Sequence, residues 1–297
     1  MLQQSFLPAE GLPPLGHTMA IVNVASVPQR SPFRYPGGKT WFVPAMRQWL
    51  MHQQQKPQVL VEPFAGGANI ALAAICENWV DHAVLVELDP CVSAVWHVIA
   101  DGLALDLAQR IEQFNLNLDT LENALSLQPT NSLDVAFQTI LKNRTRHGGI
   151  LAQGSGYIKN GESGKGLASR WYPQTLAKRL HALHAVRHRL TVITGDIFET
   201  CATYADDAHA VFFIDPPYTA GGKNAGKRLY TYSELNHPAL FDFCAKLPGD
   251  FVMTYDNTVE VKSLANAHQF ETKLIPMKNT HHAAMTELIV GRDLNWL

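Results

Sequence analysis

Val59-Leu60-Val61-Glu62-Pro63-Phe64-Ala65-Gly66-Gly67-Ala68-Asn69-Ile70 is the stretch whose reading decides the fold. An apolar run ending in an acid reads as a buried strand, and the proline and paired glycines as a tight turn. Leu72, Ile75, Cys76 and Trp79 then recur at the spacing of one buried helix face. The helix is predicted to begin near Asn69. Gly66 and Gly67 let backbone approach a ligand closely. A second strand, Ala83-Val84-Leu85-Val86-Glu87-Leu88-Asp89, places Glu87 about twenty residues beyond the glycines, the offset at which nucleoside-binding α/β folds hold a ribose.

Downstream, Ala210-Val211-Phe212-Phe213-Ile214-Asp215-Pro216-Pro217-Tyr218 is an apolar strand that ends in a carboxylate, two prolines and an aromatic ring. Proline lacks the backbone N–H and restricts the residue before it, so the pair ends the strand and leaves carbonyls without ladder partners. An exocyclic nucleobase amino group can donate its two protons to Asp215 and the Pro216 carbonyl, with Tyr218 offering a flat face to the base. The plainer reading is a strand followed by a proline turn. Further strands are predicted at 190–194, 210–214, 251–255, 270–275 and 287–290, and helices within 101–118 and 133–141. Strands alternating with helices imply a doubly wound, mostly parallel sheet whose ligands bind beyond the strands' carboxyl ends.

The motifs occur in order along the chain: Pro32-Phe33-Arg34-Tyr35-Pro36-Gly37-Gly38-Lys39, the Glu62-to-Gly67 turn with Glu87, Asn143-Arg144 followed by Gly148-Gly149, Gly195-Asp196-Ile197-Phe198, and Asp215 to Tyr218. Together they resemble the Dam-type DNA adenine-N6 methyltransferases over roughly residues 30–295. Two positions depart from the family pattern: Ala68 stands where a glycine is frequent, and Tyr35 where a tryptophan is common.

The resemblance implies a Rossmann-like methyltransferase sheet and S-adenosyl-L-methionine as cofactor. It implies that Tyr35 and Lys39 contact the donor's aromatic or methionine portion and its carboxylate, that Phe64, Ala65, Gly66, Gly67 and Ala68 wrap the methionine, and that Glu87 holds the ribose. Asp196 would accept from the donor's adenine amino group. Asp215, which also borders the donor, would be catalytic together with Pro216 and Tyr218. The implied acceptor is double-stranded DNA with its target base flipped. A cognate restriction endonuclease is a possible partner, no membrane is implied, and a monomer is the default.

Charge distribution supports a polyanion partner. From Lys142 to Arg179 eight basic residues face the single acid Glu162, a balance of +7 in a chain of net charge −2, so the remainder is strongly acidic. Asn143, Arg144, Arg146, Lys159, Lys165 and Arg170 are the DNA-contact candidates here, on a glycine-rich segment where Asn160-Gly161 is a hairpin signal. A solvated surface loop is the alternative. Lys223, Lys227 and Arg228, in the loop after Tyr218, would close over the flipped base or lie on a surface loop.

At 297 residues and 46% hydrophobic content the chain can bury a large core. The expected organisation is an N-terminal extension over 1–26, a catalytic domain over 27–100 and 185–297, and a helical and hairpin target-recognition insertion over 101–184. Four scattered cysteines read as reduced, packed thiols, and thirteen histidines lack partners at metal-ligand spacing, so no metal is expected. The first thirty residues hold no lysine, a single arginine, Arg30, and no uninterrupted apolar run, so a cytoplasmic location is expected and Met19 is a second candidate start. Alternative functions are an RNA adenine methyltransferase and an inactive DNA-binding protein of methylase fold; a nicotinamide-dependent dehydrogenase would not need Asp215 to Tyr218.

Overall fold

Seven strands form one sheet in the order β3-β2-β1-β4-β5-β7-β6. They are β1 (Val59–Glu62), β2 (His82–Glu87), β3 (Leu190–Thr194), β4 (Ala210–Ile214), β5 (Phe251–Tyr255), β6 (Glu271–Lys278) and β7 (Ala284–Gly291). The first five in this order run parallel, and β7 inserts antiparallel between β5 and β6. The computed structural model describes residues 21–297 except 36, 153, 159–163, 165, 219–230, 233 and 279–283.

Chain order reverses at β1, which pairs with β2 on one side and β4 on the other. A crevice therefore opens at the carboxyl ends of β1 and β4, the place where doubly wound sheets bind ligands. Val61 pairs with Phe212, so Phe64 and Asp215, each three residues further on, emerge at the same end.

The central strands are apolar because both of their faces are covered. Leu60, Leu85, Val211, Phe213 and Ile289 enter one hydrophobic cluster; Val61, Val84, Val86, Phe212, Ile214 and Val290 enter the other. The two-residue alternation of a strand sends neighbours to opposite faces. Over the first face lie α1 (Val43–His52), α2 (Asn69–Cys76) and α3 (Pro90–Ala100). The second is covered by the helices His237–Lys246 and Val259–Ala267 through Leu240, Phe241, Cys244, Val261 and Ala265.

Between α3 and β3 the chain adds α4 (Ala104–Gln113), α5 (Leu118–Ser126), α6 (Ser132–Thr145) and α7 (Pro173–Val186). Leu107, Ile111, Leu121, Phe137, Ile140, Leu176 and Leu180 share the cluster that contains Trp96 and Ile70, so the insertion has no separate core. The predicted helix over 101–118 is interrupted. Asn117 accepts from the Thr120 N–H and Thr120 caps it in return, and this capping box starts α5, which the apolar pattern alone does not reveal. Strands β6 and β7 are longer than predicted. In the described part of the 1–26 extension, Val24–Ser26 form a turn capped by Asn23, while residues 1–20, Met19 included, lie outside the described residues. Among the described residues, no single helix is long and apolar enough to cross a membrane.

Candidate active site

The turn after β1 is built by backbone conformations that its residue types permit. Gly66 has φ of +44°, and Ala68, where a glycine is frequent, also sits in the left-handed region at +50° before α2 begins at Asn69. A Cβ on Gly66 would lie 2.5 Å from Tyr35 Cε1, so the Tyr35 ring rests directly on the glycine turn. Glu87, at the end of β2, accepts the Gly66 N–H through Oε2 at 2.8 Å and the Asp89 N–H through Oε1 at 2.9 Å. Burial pushes its carboxyl up to about 7 against those hydrogen bonds. Glu62, at the end of β1, accepts the Ala71 N–H at 2.8 Å, and burial pushes it up to about 8. Asp196 caps the short helix Ile197–Thr200 by accepting the Phe198 N–H.

These groups line one cleft of about 910 Å³, part of it open to solvent, together with Lys39, Phe64, Ala65, Gly67, Leu88, Asp89, Asp215 and Pro217. The structure thus brings together all of the residues expected to bind a methyl donor: Tyr35, Lys39, Phe64, Ala65, Gly66, Gly67, Ala68, Glu87, Asp196 and Asp215. A nucleoside with a cationic methionine arm fits this donor set: a close-approach glycine cradle, a buried carboxylate at ribose offset and an aromatic face.

Asp215 follows β4 and is held by one oxygen. Its Oδ1 accepts from Thr254 Oγ1 at 2.7 Å and Tyr218 Oη at 2.9 Å and forms an ion pair with Lys39 Nζ at 2.8 Å. Lys39 also pairs with Glu287 Oε1 at 3.2 Å, and Glu287 hydrogen-bonds the Tyr218 hydroxyl. Burial raises the Glu287 carboxyl and, more strongly, the Tyr218 phenol; Lys39 opposes the shift at Glu287. The Tyr218 ring stacks on Tyr255 at 5.8 Å between centroids and lies 5.1 Å from Lys39 Nζ. Pro216 is buried, and neither it nor Tyr218 is among the residues lining the cleft.

Sequence reasoning missed Thr254, Glu287 and Tyr255. The available signal was Glu287 itself, a buried acid followed by the apolar Leu288, Ile289 and Val290 and sharing the face of Ile289. Lys39, expected with Tyr35 on the donor's aromatic or methionine portion and its carboxylate, lines the cleft, and its ammonium sits between the Asp215 and Glu287 carboxylates.

The expected nucleic-acid residues divide. Asn143 is fully buried, accepts the Arg34 N–H and donates to the Arg34 and Gly149 carbonyls, so its amide is spent on backbone and is not offered to DNA. Arg144 is buried and donates to the Pro32 carbonyl. Arg146 donates to the Leu151 carbonyl, and its backbone bridges antiparallel to Tyr157, closing a loop over 147–156. Arg170 lines a second cavity. Lys159, Lys165, Lys223, Lys227, Arg228 and the Asn160-Gly161 turn lie outside the described residues.

Comparison with known proteins bears on this arrangement. Among solved structures, the chain is similar to an rRNA methyltransferase from Streptomyces viridochromogenes (14% identity, TM-score 0.41, 89% of this chain and 88% of that one). It is also similar to a precorrin-6y C5,15-methyltransferase from Geobacter metallireducens (10% identity, TM-score 0.35, 84% and 87%). Likeness at this level carries no argument about substrate. The comparison with curated proteins found no match. A family model described as D12 class N6 adenine-specific DNA methyltransferase matches residues 35–280, from the Tyr35 that rests on the glycine turn to beyond β6. The chain belongs to the D12 class N6 adenine-specific DNA methyltransferase family.

Proposed function

We propose that this protein transfers a methyl group from S-adenosyl-L-methionine to the N6 amino group of adenine in duplex DNA, acting on a base turned out of the helix. The observation that carries the reading is Asp215: Oδ1 is fixed by Thr254, Tyr218 and Lys39, while Oδ2 takes part in none of these bonds and the residue borders the cleft at the sheet's switch point.

When bound, the donor supplies a sulfonium-activated methyl carbon. The chain supplies position and charge. Tyr35 presents a ring against the Gly66 turn, and Glu87 and Asp196 line the same cleft, Glu87 to hold the ribose and Asp196 to accept an adenine amino proton. Extruding the target adenine costs a few kcal/mol of unstacking, roughly, which contacts in the cleft offset. Its N6 amino group has two protons; Asp215 Oδ2 accepts one and the Pro216 carbonyl accepts the other. Those bonds hold the nitrogen lone pair out of the ring and aimed at the methyl carbon, and they strengthen as the nitrogen becomes tetrahedral and positive. Stabilisation that grows toward the transition state accelerates the step. Lys39, Thr254 and Tyr218 do not touch the base in this account; they fix the carboxylate that does. Fixing donor and acceptor in line removes the entropy of a two-body encounter.

The test is transfer of labelled methyl from S-adenosyl-L-methionine to unmethylated duplex DNA and, in parallel, to RNA, followed by nucleoside analysis. N6-methyladenine in DNA within one short sequence context is expected. Label in RNA alone, or in no nucleic acid, overturns the proposal.

A further inference from the structure

Glu287 is 6% exposed, is not among the described residues that line the cleft, and has no part in the reaction as set out above. It is nonetheless tied to two of the groups that hold Asp215. Its Oε1 pairs with Lys39 Nζ at 3.2 Å and accepts from the Tyr218 hydroxyl, and both of those groups also hold Asp215 Oδ1. Sheet order explains the meeting. Asp215 follows β4, Thr254 lies in β5 and Glu287 in β7, three consecutive strands. The last β5–β7 pair is Tyr255 with Leu288, so Glu287 stands at the carboxyl end of β5, level with Asp256.

The hydrogens around these oxygens do not divide evenly. A phenol has a single proton, and two carboxylate oxygens lie within its reach, Asp215 Oδ1 at 2.9 Å and Glu287 Oε1, so it serves one of them at a time. An ammonium has three, so Lys39 serves Asp215, Glu287 and the Gly37 carbonyl together. Asp215 Oδ1 therefore keeps Thr254 and Lys39 throughout, and keeps Tyr218 only while Glu287 does not take it. Each donor on Oδ1 draws negative charge to that oxygen and leaves less on Oδ2, the atom that meets the N6 amino group. Turning the phenol O–H toward Glu287 returns charge to Oδ2. The turn is a rotation about the C–O bond, and no covalent bond forms or breaks.

We propose that Glu287 is a positioning residue for the methyl transfer: it takes the Tyr218 hydrogen bond from Asp215 as the attacking nitrogen becomes cationic, and it shares the Lys39 charge, so that Asp215 is held in place without being neutralised. This role rests on the reading above that Asp215 accepts from an amino group. Lys39, Tyr218 and Asp215 face Glu287 directly, and Asp256 is beside it where the ladder ends. Its partner across the ladder in β6 is the apolar Ile275, while Glu62 and Tyr255 feel the charge of Asp215 from β1 and β5. Burial raises the Glu287 carboxyl, with Lys39 opposing, so acidification neutralises it before it would a free glutamate.

Methyl transfer to unmethylated duplex DNA is measured across pH for the full-length wild type, Glu287→Gln, Glu287→Asp, Tyr218→Phe and Tyr218→Phe with Glu287→Gln, each with near-ultraviolet circular dichroism matching wild type. Glu287→Gln should lose about tenfold or more in kcat, with KM for DNA and donor affinity unchanged. Glu287→Asp keeps the charge and Glu287→Gln the shape, so the aspartate should lose less; the reverse order marks a packing role and overturns the proposal. On acidification wild-type kcat should fall toward that of Glu287→Gln, because protonation makes the same change. In the Tyr218→Phe background, where no proton is left to share, Glu287→Gln should cost less; an equal fractional loss in both backgrounds overturns the shared hydrogen bond. Were Glu287→Gln not to fold, Tyr218→Phe carries the test, since its rate should decline less than wild type's on acidification and an identical decline overturns the role. A wild type that methylates no amino group of any acceptor defeats the reaction proposed above and this role with it. Transfer by wild type matched by Glu287→Gln defeats this role alone.

Discussion

Replacing Lys39 by methionine removes the ammonium that pairs with both Asp215 and Glu287, at 2.8 and 3.2 Å. Lys39 and Glu287 have side chains less than a tenth exposed, so solvent screens the carboxylates poorly once the ammonium is gone. Breaking a buried ion pair by removing one partner costs about 3–5 kcal/mol. Glu287→Gln leaves Lys39 paired with Asp215 and should cost about 1.5–3 kcal/mol, the range for a hydrogen bond to a charged group. The double variant removes one charge of each sign. Asp215 then still accepts from Thr254 and Tyr218, so the combined loss should fall short of the sum by at least about 1 kcal/mol. Urea unfolding of the four proteins at one pH measures all the terms. Additivity within about 0.5 kcal/mol would refute the claim that these three groups form one electrostatic unit.

Other consequences can be checked separately. Asn143→Ala orphans the Arg34 N–H and the Arg34 and Gly149 carbonyls, and should cost at least about 2 kcal/mol in urea unfolding; a stability-neutral variant with weakened DNA binding would restore the expected DNA-contact role. Gly66→Ala drives a methyl into the Tyr35 ring at a left-handed backbone position, so both donor affinity by calorimetry and Tm should fall by clear margins, and wild-type values would contradict the close-approach argument. Glu62, raised by burial to about 8, binds a proton in the fold that it releases when unfolded. Its contribution is therefore full below about pH 4.5 and lost as pH rises through about 8. Glu62→Gln should flatten the decline of stability between those limits, and a parallel decline in both proteins would sink the assignment. Glu87, raised to about 7, has the same sign for stability, whereas donor binding through its ionised form should strengthen as pH rises through 7.

Much of the fold could be read from local pattern. The strands at 190–194, 210–214 and 251–255 coincide with β3, β4 and β5, and α2 begins at Asn69, because each strand is a run rich in β-branched or aromatic residues that ends at an acid or glycine. Capping chemistry hid α5, where Asn117 and Thr120 start a helix with only Leu121 fully buried. The cleft was legible because its residues sit in or beside contiguous turns. The network behind Asp215 was not. Lys39, Thr254 and Glu287 are far apart in sequence and meet only because β4, β5 and β7 are consecutive in the sheet with Lys39 packed beside them. Asn143 and the basic residues after it were read as DNA contacts by type, yet type does not reveal burial: Asn143 and Arg144, adjacent in sequence, are both interior, and both hold the loop before Tyr35.

The most direct test of the central claim compares wild type with Asp215→Asn, an isosteric change that keeps the cleft's shape and removes the accepting charge. Donor affinity is measured by calorimetry and methyl transfer to duplex DNA in a single turnover. The account predicts donor binding within a few-fold of wild type, roughly, and transfer slowed by about a hundredfold or more, equivalent to about 2.7 kcal/mol of lost transition-state stabilisation. Transfer at the wild-type rate by a folded Asp215→Asn protein would contradict it.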